Sequence, residues 1–522
     1  MIELMLLLVA ASTGFGLARL LRLPVIPVLL VVGFVLPYIG FSFERDELNT
    51  VVILGLTFLA FAMGIELNPK RAGRQRKAVW VVGVVQFLGL CTAGFLLATL
   101  MGFDVTSSIY LALALGASST LVVVRHLKGR QQMFEPFGRL ANGVLLIQDV
   151  FVIVLIVVVL SLPDGMEGVI RAIAGTAVLF AMAYACLRWV MPYLIVRLKL
   201  EEESLLLVTL AALFCFMGIS HLLELPLVAG AFLAGVSLSS FPVNGVVRGL
   251  INSLADFFLA IFFIALGMIL TIPEGAAFLQ AILFALFVVL VTPPLVAYVG
   301  ERCGLSYRAS LESGLLLAQT SEFSLLVGLY GVFLGQIGED IFSIIAMVTV
   351  LTMMLTPFVG TDGVARALMR LRPTRAGIRG EMEAPEKHVL VLGYGSNGRR
   401  IVKPLIDSGH RVLVVDDDPG WIRNLRNEGI PCIRGDACNE TVLNMAGARE
   451  AKLIISSLRS VNDSESVLRY VRVSRVPVYV RVFEPGEAER VKRLGGTPLL
   501  TSEAAAEQFE KWFHQEITPK TA

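Results

Sequence analysis

Gln148 and Asp149 stand side by side in Gly143–Leu160, a stretch otherwise apolar enough to cross a bilayer. A carboxylate in hydrocarbon is costly, so by default it has a function and a partner. Ser118, Ser119 and Thr120, following Gly116-Ala117, interrupt the preceding apolar stretch, and Gln319-Thr320-Ser321-Glu322 interrupts a much later one. Hydroxyl and amide oxygens suit a small monovalent cation, and a buried carboxylate is also a proton site. The chemistry these residues suit is competition between K+ or Na+ and H+ for Asp149, with Gln148, Ser118, Ser119, Thr120, Gln319 and Glu322 as its surroundings. Serine and threonine in membrane helices also bond back to their own backbone and pack. Glu322 has a structural alternative, bonding the backbone of a broken helix, and Glu66, near a predicted helix end, reads as solvated or capping.

The frame that positions these groups is a membrane one. The 522 residues are 56% hydrophobic and 16% charged, with a mean hydropathy of +0.76, which excludes a soluble globular chain. A net charge of +2, with basic residues confined to short loops, argues against nucleic acid as a partner. Cys91, Cys186, Cys215, Cys303, Cys432 and Cys438 lack metal-ligand spacing and read as small apolar fillers. The first twenty residues lack a basic start and a cleavage site, and read as a retained span.

The length of the apolar runs gives about thirteen candidate spans, centred from Leu8 to Val350, several of them interrupted by Gly or Pro. Basic residues cluster in alternate loops, among them Lys70 to Lys77, Arg125 to Arg139, Arg197 with Lys199, and Arg366 to Arg379, while the other loops carry mainly acids. By the positive-inside rule the N-terminus lies outside and the C-terminal region is cytoplasmic.

The membrane part repeats itself. Leu23-Pro24-Val25 recurs as Leu225-Pro226-Leu227, and the motif ending at Gly64 recurs loosely as one ending at Gly267, 203 residues later. Carried forward, that offset takes Ser118 to Ser321, so two interrupted helices occupy equivalent places in two inverted halves and their unwound middles are expected to cross. Asp149 maps to Thr352, so the acid belongs to one half only.

After a polar, Pro- and Gly-containing linker the pattern changes. His388–Leu392 reads as a buried strand, Gly393-Tyr394-Gly395-Ser396-Asn397-Gly398 follows, a helix runs to Ser408, and Arg411–Val415 is a second strand closed by Asp416. Strand, glycines, helix, strand and terminal acid in register form a nucleotide-binding unit, in which the glycines admit phosphate to the helix N-terminus and the acid takes ribose hydroxyls. Gly435-Asp436-Ala437 follows a further strand, where ligands of such sheets also lie. The candidate nucleotide contacts are Gly393, Gly395, Ser396, Asn397, Gly398, Asp416, Asp436 and Ala437. The alternative is a lobe of this fold that binds nothing and assists assembly.

The chain resembles the monovalent cation:proton antiporter-2 family, most closely its glutathione-regulated potassium-efflux (Kef) type with a C-terminal RCK (KTN, TrkA-N) domain. The resemblance runs over nearly the whole chain and rests on Leu23-Pro24-Val25, Met63–Leu67, Ser118-Ser119-Thr120, Gly138-Arg139, Gln148-Asp149, Gly230–Gly235, Phe262-Phe263, Gly267-Met268, Gln319 with Glu322-Phe323, Gly393 to Gly398, Asp416 and Gly435-Asp436-Ala437. It implies that Asp149 carries cation and proton alternately, that the protein is a homodimer of the bacterial inner membrane with an ion-binding core moving against a scaffold, and that AMP or a related adenine nucleotide, or NAD(H), binds the RCK lobe. Where many relatives place Lys or Arg in the eleventh span, this chain has Thr292-Pro293-Pro294, so no fixed cation stands there. The pocket residues of glutathione-gated relatives are not placed in this sequence, which leaves control by glutathione open.

The expected architecture is therefore an all-α polytopic membrane domain over residues 1–363 with inverted repeats and two crossing broken helices, a basic linker over 364–387, and an α/β Rossmann-like RCK lobe over 388–522. The expected activity is exchange of K+, or Na+, for H+, one for one, under nucleotide control, without enzymatic turnover. A nucleotide-gated potassium channel would share the lobe, but no Thr-Val-Gly-Tyr-Gly filter occurs. A nicotinamide oxidoreductase would share the glycine motif, but the lobe lacks a substrate domain.

Overall fold

The computed structural model describes residues 2–21, 23–41, 45–66, 76–130, 132–133, 135–161, 163, 165–190, 193, 202–239, 245–371, 387–395, 398–458, 460–501, 503 and 506. The expected linker beyond residue 371, most of the basic loops at 67–75 and 194–201, and the Glu66 side chain lie outside the described residues. The chain divides into two compact units, Met1–Cys303 with Ala309–Ala367 and Gly304–Arg308 with Leu368–Ala522.

Among the described residues the elements of the first unit are all helices: α1 (Ile2–Leu21), α2 (Val25–Val35), α3 (Arg45–Glu66), α4 (Arg76–Leu100), α5 (Val105–Gly116), α6 (Thr120–Gly129), α7 (Pro136–Leu160), α8 (Gly165–Ala185), α9 (Glu202–Leu222), α10 (Leu227–Leu238), α11 (Gly245–Ile269), α12 (Ala276–Arg302), α13 (Tyr307–Leu317), α14 (Glu322–Phe333), α15 (Glu339–Val359) and the start of α16 (Asp362–Leu371), whose last residues, from Leu368, fall in the second unit. Among the described residues eight helical stretches are long and apolar enough to cross a membrane alone, counting α5 with α6 and α13 with α14 as one each, and five shorter apolar helices accompany them. Residues 364–371, expected to begin the linker, belong to α16.

Packing sorts these helices into two bundles. In one, α2, α3, α10 and α11 pack on each other with α1 and α9; in the other, α4, α5, α7, α12, α14 and α15 do so with α6. The first bundle is closed by two glycine crossings. A Cβ on Gly64 would run into the Phe232 carbonyl and lie 2.9 Å from the Gly235 Cα, and one on Gly235 would strike the Phe61 carbonyl. Gly33 and Gly267 stand in the same relation through the Ile264 and Leu30 carbonyls. Bare backbone at these points lets helices touch main chain to main chain, the packing mode lipid-embedded helices favour. The crossings are repeat-related, since Gly64 of one corresponds to Gly267 of the other.

The second unit contains a six-stranded parallel sheet in the order β3-β2-β1-β4-β5-β6, formed by β1 (Val389–Leu392), β2 (Val412–Asp416), β3 (Cys432–Arg434), β4 (Leu453–Ser456), β5 (Val478–Val482) and β6 (Thr497–Leu500). Helices α17 (Gly398–Asp407), α18 (Pro419–Asn427), α19 (Glu440–Met445), α20 (Val461–Val471) and α21 (Pro485–Arg493) connect them. This is the doubly wound order, whose ligand crevice opens at the carboxyl ends of β1 and β4.

Candidate functional site

The helical path fails in two places. At Ala117 the backbone turns extended (φ −99°, ψ 146°), and α6 restarts behind Ser119, whose hydroxyl accepts the Val122 N–H. Between α13 and α14, Ser321 is likewise extended and caps α14 by accepting the Phe323 N–H, while the Ser324 hydroxyl accepts the Ser321 N–H. Short hydroxyl side chains that compete with the helical ladder are why the chain unwinds at these runs.

Each break is fastened to the other. The Ser118 hydroxyl donates to the Leu317 carbonyl at 2.7 Å, and the Ser324 hydroxyl donates to the Ala114 carbonyl. Ala114 and Leu317 are the repeat-related last-turn carbonyls of α5 and α13, groups a helix end leaves without a partner. The expected crossing is thus observed, with Ser324 rather than Ser321 reaching across.

Asp149 lies near the middle of α7 and is 5% exposed. The Thr120 hydroxyl stands within hydrogen-bonding distance of both its oxygens, 3.2 Å from Oδ1 and 3.0 Å from Oδ2. Thr120 is the first residue of α6, so the carboxylate faces a helix N-terminus, where anionic charge is favoured. Gln148, fully buried, turns away from Asp149 into a closed amide network. Its Oε1 accepts the Ser118 N–H (3.1 Å) and its Nε2 donates to Gln86 Oε1 (3.0 Å), while Gln86 Nε2 donates to Ser118 Oγ (3.3 Å). Gln86, on α4, was missed by sequence reasoning, although a lone amide in an apolar span is itself a signal. Replacing it by Leu strands the Gln148 amide and is expected to lower stability by about 1–3 kcal/mol, read as a drop in the thermal midpoint of the detergent-solubilised protein.

The second break carries unsatisfied oxygen. Gln319 uses Nε2 on the Leu316 carbonyl, leaving its Oε1 with no hydrogen-bond partner among the described residues. Glu322 is fully buried, and neither carboxylate oxygen meets hydrogen-bonding geometry with a described residue, although Ser119 lies alongside. Position 352, equivalent to Asp149, holds a threonine whose Oγ1 accepts the Thr320 N–H at 3.1 Å. The second half therefore fills the acid's place with a neutral hydroxyl. Thr292 and Pro293 are buried on α12, where Pro293 packs so tightly on Gly314 that a Cβ there would lie 2.8 Å from the Pro293 Cα.

In the lobe, Gly393 adopts φ +84° at the end of β1, and a Cβ on Gly398 would strike the Gly393 carbonyl. A Cβ on Gly395 would meet nothing within 4 Å, leaving open the approach to the N-terminus of α17. These are the three tasks a dinucleotide-type turn sets its glycines: turn, approach and packing. Ser396 and Asn397 lie outside the described residues. Asp416 accepts the Tyr394 N–H at 2.6 Å through Oδ2 and the Asp418 N–H at 2.8 Å through Oδ1, tying the glycine turn to β2 while each oxygen keeps a lone pair. Burial raises its carboxyl above the usual range, against those two amides. Asp436 accepts the Cys438 N–H at 2.9 Å, and Ala437 is buried beside it. The residues present fit an adenine nucleotide with ribose at Asp416 and phosphate at the N-terminus of α17.

The family described as sodium/hydrogen exchanger, transmembrane, matches residues 5–361, and the TrkA-N domain matches residues 389–500. The glutathione-regulated potassium-efflux system protein KefC of Enterobacter sp. (strain 638) is 25% identical over 448 residues, which cover 82% of this chain and 70% of that protein. The structure of the sodium proton antiporter MjNhaP1 from Methanocaldococcus jannaschii at pH 8 covers 70% of this chain and 99% of its own at a TM-score of 0.57 and 17% identity, a likeness of fold.

Proposed function

Since the chain belongs to the sodium/hydrogen exchanger family, we propose that it exchanges K+, in preference to Na+, for H+ at Asp149, under control of an adenine nucleotide bound in the TrkA-N lobe. The observation that carries the reading is the buried Asp149 carboxylate at the N-terminus of α6, beside two helix breaks that are bonded to each other. In this reading a proton and a cation compete for Asp149, each of them offsetting the cost of a buried carboxylate in a membrane span. One carboxylate is neutralised by either ion and not by both, which makes exchange obligatory and sets one cation against one proton. Thr120 orients the carboxylate, Ser118, Ser119 and Gln148 hold the first break in place, and Gln319 with Glu322 offers oxygen from the second.

The preference for K+ rests on the potassium-efflux relative. Adding KCl or NaCl to proteoliposomes that hold a pH gradient tests it. K+ is expected to dissipate the gradient at the lower concentration, and a response to Na+ alone refutes the preference. Current that reverses at the potential of a many-proton cycle refutes the one-for-one count.

The topology we propose has the N-terminus outside and the lobe in the cytoplasm of a bacterial inner membrane, with two copies forming a homodimer. AMP, a related nucleotide or NAD(H) would shift the exchanger between states by binding one state more tightly. Asp416→Ala removes a charged acceptor and is expected to weaken nucleotide binding by about tenfold or more, measured by calorimetry on the full chain, with exchange at saturating cation and no nucleotide preserved.

A further inference from the structure

Arg125 and Asp256 belong to different bundles. Arg125 lies on α6, five residues beyond the Thr120 that holds Asp149, and Asp256 lies on α11, the helix pinned to α2 through Gly267. Their side chains meet at 2.6 Å and are 36% and 56% exposed. The sequence pattern placed Arg125 in a loop, but it is helical. The apolar stretch of α11 begins at Asp256, so the pair joins the bundles at the edge of that stretch, on the face toward which α6 ends. A partly exposed pair of this kind is weak, strong enough to bias a conformation and too weak to lock it.

We propose that the Arg125–Asp256 pair is a latch between the site-bearing bundle and the bundle closed by the glycine crossings, shut in this conformation and opened once per exchange cycle. Arg125 is then a positioning residue. Held by Asp256, it ties α6, the helix whose first residue meets Asp149, to α11. The inference rests on the exchange reading.

The test uses the full-length protein in proteoliposomes of uniform orientation, with cation varied on one face at a time and proton flux recorded. Asp256→Asn is expected to raise the half-saturating cation concentration about three- to tenfold on the face toward which α6 ends and to lower it on the other, because both shifts follow from one change in populations. Arg125→Gln combined with Asp256→Asn is expected to match Arg125→Gln alone, as coupled partners do, and Asp256→Glu is expected to remain close to wild type. Equal shifts on both faces, additivity of the two substitutions, or a change in thermal midpoint alone would overturn the latch. Wild-type protein without Asp149-dependent flux would overturn the exchange reading and the latch with it.

Discussion

Asp149→Asn is expected to reduce cation-driven proton flux by about a hundredfold or more, since in the proposed exchange it removes the group that alternates between ions. The substitution is nearly isosteric. Asparagine keeps an oxygen for the Thr120 hydroxyl, and the Gln148–Gln86–Ser118 network does not pass through Asp149. The fold and the lobe are therefore expected to survive, with the thermal midpoint and nucleotide affinity near wild type. Flux of a pH-sensitive dye in proteoliposomes reads the loss, and calorimetry reads the unchanged lobe. Exchange that persists in the Asn variant removes Asp149 from the mechanism.

Substitution at the glycine crossings is expected to act on folding. Gly267→Val places side-chain atoms where the Leu30 carbonyl and the Gly33 backbone already stand. Backbone cannot rotate aside as a side chain can, so α2 and α11 must separate. Overpacking costs about 1–3 kcal/mol when neighbours adjust, and here the two main chains leave little to adjust, so the upper end or beyond is expected. Gly64→Val should behave alike at the α3–α10 crossing, whereas Gly249→Ala, whose Cβ would meet nothing within 4 Å, should be silent. Yield of monodisperse protein and its thermal midpoint distinguish them.

Much of this was legible in the chain, for definable reasons. Asp149 announces itself because an acid in hydrocarbon has few innocent explanations. The offset that pairs Ser118 with Ser321 and Gly64 with Gly267 placed both breaks, and the glycine turn with Asp416 gave the lobe, whose strand order follows from the parallel crossovers. The family matched over residues 5–361 and the TrkA-N match over 389–500 agree with the resemblance to Kef-type antiporters. Partners across the bundle were not legible. That Ser324 reaches Ala114, that Gln86 closes the amide network, that Gly64 meets Gly235, and that Arg125 is helical and ion-paired all depend on which helices become neighbours. Hydropathy and spacing carry no such information. Gln148 is the instructive case: its place beside Asp149 in sequence suggested a shared ligand, but successive residues of a helix point about 100° apart, and its amide serves the break instead.

The exchanged hydroxyl-to-carbonyl bonds between Ser118 and Leu317 and between Ser324 and Ala114 stitch the unwound segments into a single cassette. Prising one segment loose would strand a buried carbonyl on the other, so the berth resists being reshaped from either flank. In the proposed exchange, access to the ion must then change around an intact cradle, and an inhibitor lodged between the cassette and its surroundings would stall the traffic without touching the carboxylate.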